Sequence, residues 1–344
     1  MGPARERGVS FLASSFLLAV CICHPALARS QDASVTSNSA APPQFGLYDI
    51  SPSSHDPEIA TFERMARNQD FASARSGLQG YLSAHPQSAI AHFLMGYVLY
   101  RMQQPTASLA EYTLGAKLRR PGAGDIAVVA MDYILLHDYV DADKWLTQAV
   151  TWEPNHRQYW YYLGRTKYAE NRFQEAIDAF EKCLSLQPRD GTAEYNIGLA
   201  YAGLGNTASA TLAYQQAIDW QHNAEHQDPQ PYLDLGILLL TKDESVKALP
   251  YLKSAAQVDG KNPKAHEELG IAYEKLRQFQ AAQSELELAI SLAQSVPALH
   301  FELGRVYQKE GLTSQAKAQF AKCAALNATH SSDEAETPNL FHHE

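Results

Sequence analysis

The chain has 344 residues, 45% of them hydrophobic and 19% charged, with 28 basic against 38 acidic side chains and a formal charge of -10. That balance excludes the basic surface that nucleic-acid phosphates require, and it argues equally against docking on anionic lipid.

At the N-terminus, Arg5 and Arg7 form a short basic head, residues 9–23 are almost wholly apolar and small, and Ala26, Leu27 and Ala28 make a small-residue exit. This predicts a signal peptide over residues 1–28, cleaved after Ala28, and a periplasmic or extracellular protein with no membrane insertion after cleavage. An uncleaved anchor would need a longer apolar run, and lipid attachment at Cys21 would need a small residue where Val20 stands. Cleavage removes Arg5, Arg7 and Glu6, which takes the formal charge from -10 to -11. Residues 29–54, rich in Ser, Ala, Pro and Gln, bury too little apolar surface to offset their ordering entropy and are predicted to be a flexible linker. Residues 331–344 are polar and acidic, carry Pro338, and are predicted to be a disordered tail.

Between linker and tail the sequence repeats itself. Glycines recur at Gly96, Gly164, Gly198, Gly236, Gly270 and Gly304, with Ala130 in the one missing slot, at intervals of 34 residues except for one of 38. With each glycine as the eighth residue of its unit, units begin near 55, 89, 123, 157, 191, 229, 263 and 297. The twentieth position reads Ala74, Ser108, Ala142, Ala176, Ala210, Ala248, Ala282 and Ala316. The twenty-fourth is large and apolar throughout, from Leu78 and Tyr112 to Leu286 and Phe320. Proline closes several units, at Pro86, Pro154 and Pro188, where a second helix must stop. Small side chains at positions eight and twenty let two antiparallel helices cross closely, and the large ones fill the space beside the crossing.

This period and these columns resemble the tetratricopeptide repeat (TPR) family over about four-fifths of the chain. The resemblance implies an all-α fold, a right-handed α-solenoid of about eight stacked 34-residue helix-turn-helix repeats over residues 55–330. The unit beginning at Arg157 is nearest to the family pattern; the one beginning at His55 departs most, with Phe62 in the glycine column. Cys183 and Cys323 both fall at position twenty-seven, four units apart, so they are predicted to be separate buried thiols and not a disulfide.

In the family, the first helix of each unit lines the concave face of the stack, mainly through positions two, five, nine and twelve. Carried onto this sequence, the partner-binding groove would be Phe93, Tyr97, Tyr100, Met131, Ile134, Tyr161, Arg165, Tyr168, Tyr195, Leu199, Leu233, Ile237, Leu240, Phe301 and Arg305, with the more polar Glu267 and Glu274 near its end. An apolar groove of that length is costly to leave in water and is expected to receive an apolar or helical peptide segment. The competing packing is a superhelix tight enough for these residues to cover one another. Some relatives clamp a C-terminal carboxylate on this face with lysines and asparagines; here only Asn196 fits, and Tyr161 and Arg165 stand where the first lysine and asparagine belong.

Catalysis has little to build on. His222, Glu225 and His226 have the spacing of an inverted zinc-protease motif but fall in the four-residue insertion, where no steady helix would aim two imidazoles and no third ligand is identifiable. His342 and His343 hang on the tail, and the glycines sit singly at a constant period, not in a phosphate-binding loop. No cofactor or metal is expected. The predicted function is an exported scaffold or adaptor that binds protein in a cell-envelope or secretion assembly. The alternatives are a subunit that recruits substrate to a separate enzyme and, more remotely, a hydrolase using the His222 cluster. Self-association through an uncapped last repeat is a further expectation.

Overall fold

The computed structural model describes residues 56–222, 224 and 226–336, with side chains as far as Thr329. The predicted signal peptide and linker, and the end of the tail, lie outside the described residues. Within them the chain forms sixteen helices and no strand. They run in pairs: α1 (Pro57–Arg67) with α2 (Phe71–Ala84), α3 (Ala89–Arg101) with α4 (Pro105–Leu118), α5 (Ala123–Leu135) with α6 (Tyr139–Trp152), and α7 (Arg157–Ala169) with α8 (Phe173–Leu186). The second half repeats the pattern: α9 (Gly191–Gly203) with α10 (Thr207–Gln221), α11 (Gln230–Thr241) with α12 (Ser245–Val258), α13 (Pro263–Lys275) with α14 (Phe279–Leu292), and α15 (Pro297–Glu310) with α16 (Thr313–Glu336). Each pair packs on the next, giving the α-solenoid expected from the repeat.

Local chemistry fixes these boundaries. Ser88, Asp190 and Asn262 precede first helices and accept hydrogen bonds from backbone N–H groups of the opening turn; Asp70, Asp138 and Asn206 do the same for second helices. α2, α6 and α8 end two residues before Pro86, Pro154 and Pro188. The turn inside every unit passes through a left-handed residue at position fifteen: Gln69, Gln103, His137, Asn171, Gly205, Asp243, Arg277 and Gly311, with φ between 58° and 88°. This reverses the chain in a few residues and brings the second helix back along the first.

The glycine column works by close approach. A Cβ on Gly164 would stand 2.7 Å from the Phe180 ring, one on Gly198 2.5 Å from Tyr214, and one on Gly236 2.4 Å from Leu252. The large residue at position twenty-four thus lies flat over the bare backbone at position eight. The first unit reaches the same packing by exchange. Phe62 occupies the glycine column, and room for it comes from Gly77 on α2, where a Cβ would fall 2.3 Å from the Phe62 ring. A second contact joins the two helices in three units: Nδ1 of His92, His266 and His300 lies 2.6, 2.7 and 2.7 Å from Glu111, Glu285 and Gln319, each nineteen residues on.

The core is a ribbon running from pair to pair, with position twenty wholly buried at Ala74, Ser108, Ala142, Ala176, Ala210, Ala248 and Ala282. At the C-terminal end, Thr313, Lys317 and Ala324 occupy positions that other units fill with Phe173, Ile177 and Leu184 or Phe279 and Ile290. The terminal face therefore closes on small and polar side chains, and α16 continues to Glu336, taking in the first six residues of the predicted tail.

Cys183 and Cys323 are not bridged to each other. Only one matches the expectation of burial: Cys183 is fully covered, whereas Cys323, on the last of the described helices, is half-buried. Burial pushes the Cys183 thiol up, with Arg157 pulling the other way. A thiol reagent such as Ellman's is therefore expected to label Cys323 in the native chain and Cys183 only on unfolding. Equal labelling rates would contradict the stacking.

Candidate partner-binding face

The fifteen residues of the expected groove separate by depth. Phe93, Tyr97, Tyr100, Met131, Tyr195, Leu233 and Leu240 are buried. Ile134, Tyr161, Arg165, Tyr168, Leu199, Ile237, Phe301 and Arg305 are half-buried. All lie on first helices, from α3 to α15.

The buried members have partners within the solenoid. Phe93 stacks on Tyr112 with ring centroids 5.9 Å apart, and the Arg119 guanidinium lies 5.3 Å from its ring. Arg101 donates to the Tyr97 hydroxyl at 2.8 Å and places its guanidinium 4.7 Å from the Phe71 ring. Tyr195 donates to Asp234 at 2.6 Å, joining α9 to α11 across the insertion. Burial, reinforced by Asp234, raises the Tyr195 hydroxyl far above its ordinary range, and burial pushes the Asp234 carboxyl up to about 6. These side chains serve as a packed floor. Replacing Tyr97 or Tyr195 would therefore disturb the stack itself, which makes them poor probes of partner binding.

The half-buried members divide by chemistry. From α5 to α11, Ile134, Tyr161, Tyr168, Leu199 and Ile237 give an apolar and aromatic strip interrupted by Arg165. Tyr161 lies 5.9 Å from Phe180 and Tyr168 5.4 Å from Phe173, ring to ring, so each is braced by the second helix of its own unit. Towards the C-terminus the face is ionic. Lys264 pairs with Glu267 and Glu268, both at 2.8 Å, and Arg305 pairs with Glu302 at 2.6 Å and Glu274 at 3.1 Å. Lys309 adds a second cation to Glu274 at 2.5 Å. Glu302 and Lys309 were missed in the sequence reading, although Glu302 and Arg305, three residues apart on one helix, form an i, i+3 pair.

Asn196, the one residue fitting the carboxylate clamp, is buried, and its amide donates to the Thr192 carbonyl at 2.7 Å. Of the histidine motif, Glu225 lies outside the described residues; His222 and His226 are exposed. His222 caps the C-terminus of α10, and the insertion after it is held by Gln221, which donates to the Asp228 carbonyl at 2.9 Å and accepts from the Asp228 N–H at 2.8 Å. Among the described residues no three His, Cys, Asp or Glu side chains converge as metal ligands, and no helix is long and apolar enough to cross a membrane.

Comparison with known proteins gives the same repeat. One tetratricopeptide-repeat family model matches residues 157–190, and a second matches 194–223, 263–295 and 297–330. Anaphase-promoting complex subunit 3 of Schizosaccharomyces pombe is 22% identical over 213 residues, which are 61% of this chain and 31% of that protein. The chain thus spans less than a third of the length of that relative. Among solved structures, the anaphase-promoting complex hetero-tetramer Cut9–Hcn1 aligns over 87% of this chain and 55% of its own, at 18% identity and a TM-score of 0.50. YrrB, described as a TPR protein with an unusual peptide-binding site, aligns over 54% of this chain and 94% of its own, at 17% identity and a TM-score of 0.47. With four units matched by family models and all eight built as the same antiparallel helix pair, the chain belongs to the tetratricopeptide repeat family.

Proposed function

We propose that this protein is an exported scaffold that holds a peptide segment of a partner protein along the half-buried strip of its first helices. The observation that carries the reading is the strip itself: Ile134, Tyr161, Tyr168, Leu199 and Ile237 follow one another on four consecutive units above a floor already locked by internal contacts. A rigid floor with an unfinished apolar surface suits a peptide, because ordering costs on the receptor side are small. Export rests on the basic head, apolar core and small-residue exit of residues 1–28.

The test is a random dodecapeptide display library selected on the mature chain, followed by titration of the enriched peptides. The variant Tyr161→Ser/Tyr168→Ser/Leu199→Ser is expected to bind them at least about tenfold more weakly, since each loses part of a contact of about 1 kcal/mol or more. Its helical content should match that of the parent. Undiminished binding by this variant would remove the strip from consideration.

A further inference from the structure

Arg165 and Arg305 occupy the same place, position nine, in units four apart. Arg305 is satisfied twice, by Glu302 three residues before it and by Glu274 thirty-one residues before it. The corresponding positions for Arg165 hold Tyr162 and Ile134, neither of which carries a carboxylate. Arg165 makes no hydrogen bond or ion pair among the described residues, although it is half-buried. Its neighbours on the strip are Tyr161 and Tyr168 on its own helix, with Ile134 and Leu199 at strip positions of the units before and after it.

A guanidinium stays charged at any pH a protein meets, and a cation set in an apolar surface without an acceptor is unfavourable. Exposure to water lowers that cost here but does not supply the paired geometry seen at Arg305. The apolar strip continues on both sides of Arg165, so a bound segment passes over it and does not end there.

We propose that Arg165 is the anchor for an acidic side chain of the bound peptide: the partner segment carries an internal Asp or Glu flanked by apolar residues, and its carboxylate supplies the acceptor that Glu274 and Glu302 supply to Arg305. This rests on the strip being the peptide site. It adds to that reading the one charge that sets the register of the peptide, since an apolar strip alone would let a segment slide.

The library selection described above is run on the parent chain and on Arg165→Gln, and the best peptide is resynthesised with Glu replaced by Gln and, separately, with an amidated C-terminus. The parent is expected to enrich an acidic residue between apolar ones and to bind the Glu peptide about tenfold more tightly than its Gln counterpart, as a charge-assisted hydrogen-bond pair implies. In Arg165→Gln that preference should fall to within about twofold, while the Gln peptide binds both proteins alike. Amidation should change nothing; a loss on amidation would mean that a terminal carboxylate is bound and would overturn the internal anchor. Equal binding of Glu and Gln peptides by the parent, or a preference that survives in Arg165→Gln, would overturn the proposal and leave the apolar strip standing. A library that yields no binder would overturn both. Arg165→Lys, which keeps the charge without the forked geometry, is expected to retain part of the preference.

Discussion

Phe180→Ala is expected to cost about 3–5 kcal/mol of stability, and the loss should depend on the glycine beneath the ring. Phe180 is wholly buried, and its ring lies where a Cβ on Gly164 would stand, at 2.7 Å. Removing the ring loses its transfer energy and leaves a void between α7 and α8. Gly164→Ala in the parent should itself cost about 1–3 kcal/mol, because the methyl group forces the ring off its seat. In the Phe180→Ala background the sign should reverse. The methyl group then enters the void, and alanine is better than glycine in a helix by about 1 kcal/mol. Urea unfolding of the four proteins gives the cycle, and additive effects would show that the ring does not rest on the bare backbone.

The second large effect is a stability that falls as pH rises. Asp132 on α5 is wholly buried and lies 2.5 Å from the Ser108 hydroxyl, which also lies 2.8 Å from the Gly96 carbonyl. Ser108 has one proton for two acceptors. Both contacts carry a proton when Asp132 is protonated and donates to Ser108 while Ser108 donates to Gly96; the other carboxyl oxygen, Oδ1, is buried with no hydrogen-bond partner among the described residues, which also disfavours the ionised form. Burial accordingly pushes the Asp132 carboxyl up to about 8, with the Ser108 hydrogen bond pulling the other way. Between about pH 4 and pH 8 the folded chain keeps a proton that the unfolded chain has released, so stability declines across that window, by up to about 1.4 kcal/mol per pH unit from this group. Asp132→Asn keeps the shape and the neutral donor. It is expected to flatten this part of the pH profile and to be more stable than the parent by a few kcal/mol at pH 8, with little difference near pH 4. Thermal or urea melts of both proteins from pH 4 to 8 check this, and parallel profiles would place the ionised form in the core.

Much of the fold was legible because its determinants are local and repeat. Six predicted unit starts, Ala89, Ala123, Arg157, Gly191, Pro263 and Pro297, are the first residues of helices. The exchange between Phe62 and Gly77 was not legible, because the compensating glycine lies on the other helix, outside the column that carries the pattern. Nor was the left-handed turn residue, since position fifteen carries Gln, His, Asp and Arg as readily as Gly or Asn. The turn is imposed by the packing of the two helices it joins.

At the site, the sequence located the face but not the depth. The family resemblance put all fifteen residues on first helices, yet whether a side chain is floor or surface depends on what meets it across the stack. Tyr97 is claimed by Arg101 and Tyr195 by Asp234 and both are buried, while Tyr161 and Tyr168 are half-buried. Arg165 and Arg305 look alike in sequence and differ only in their acceptors, one of which stands thirty-one residues upstream in the preceding unit. The buried Ser108 and Asp132 pair escaped for the same reason, being joined across units α3–α4 and α5–α6.

A crystal structure of residues 29–344 with a library-selected peptide tests most directly where a partner segment lies. Peptide density running over Ile134, Tyr161, Arg165, Leu199 and Ile237 is the expected result. A peptide bound to the second helices, or to the end of the stack at α16, would contradict it.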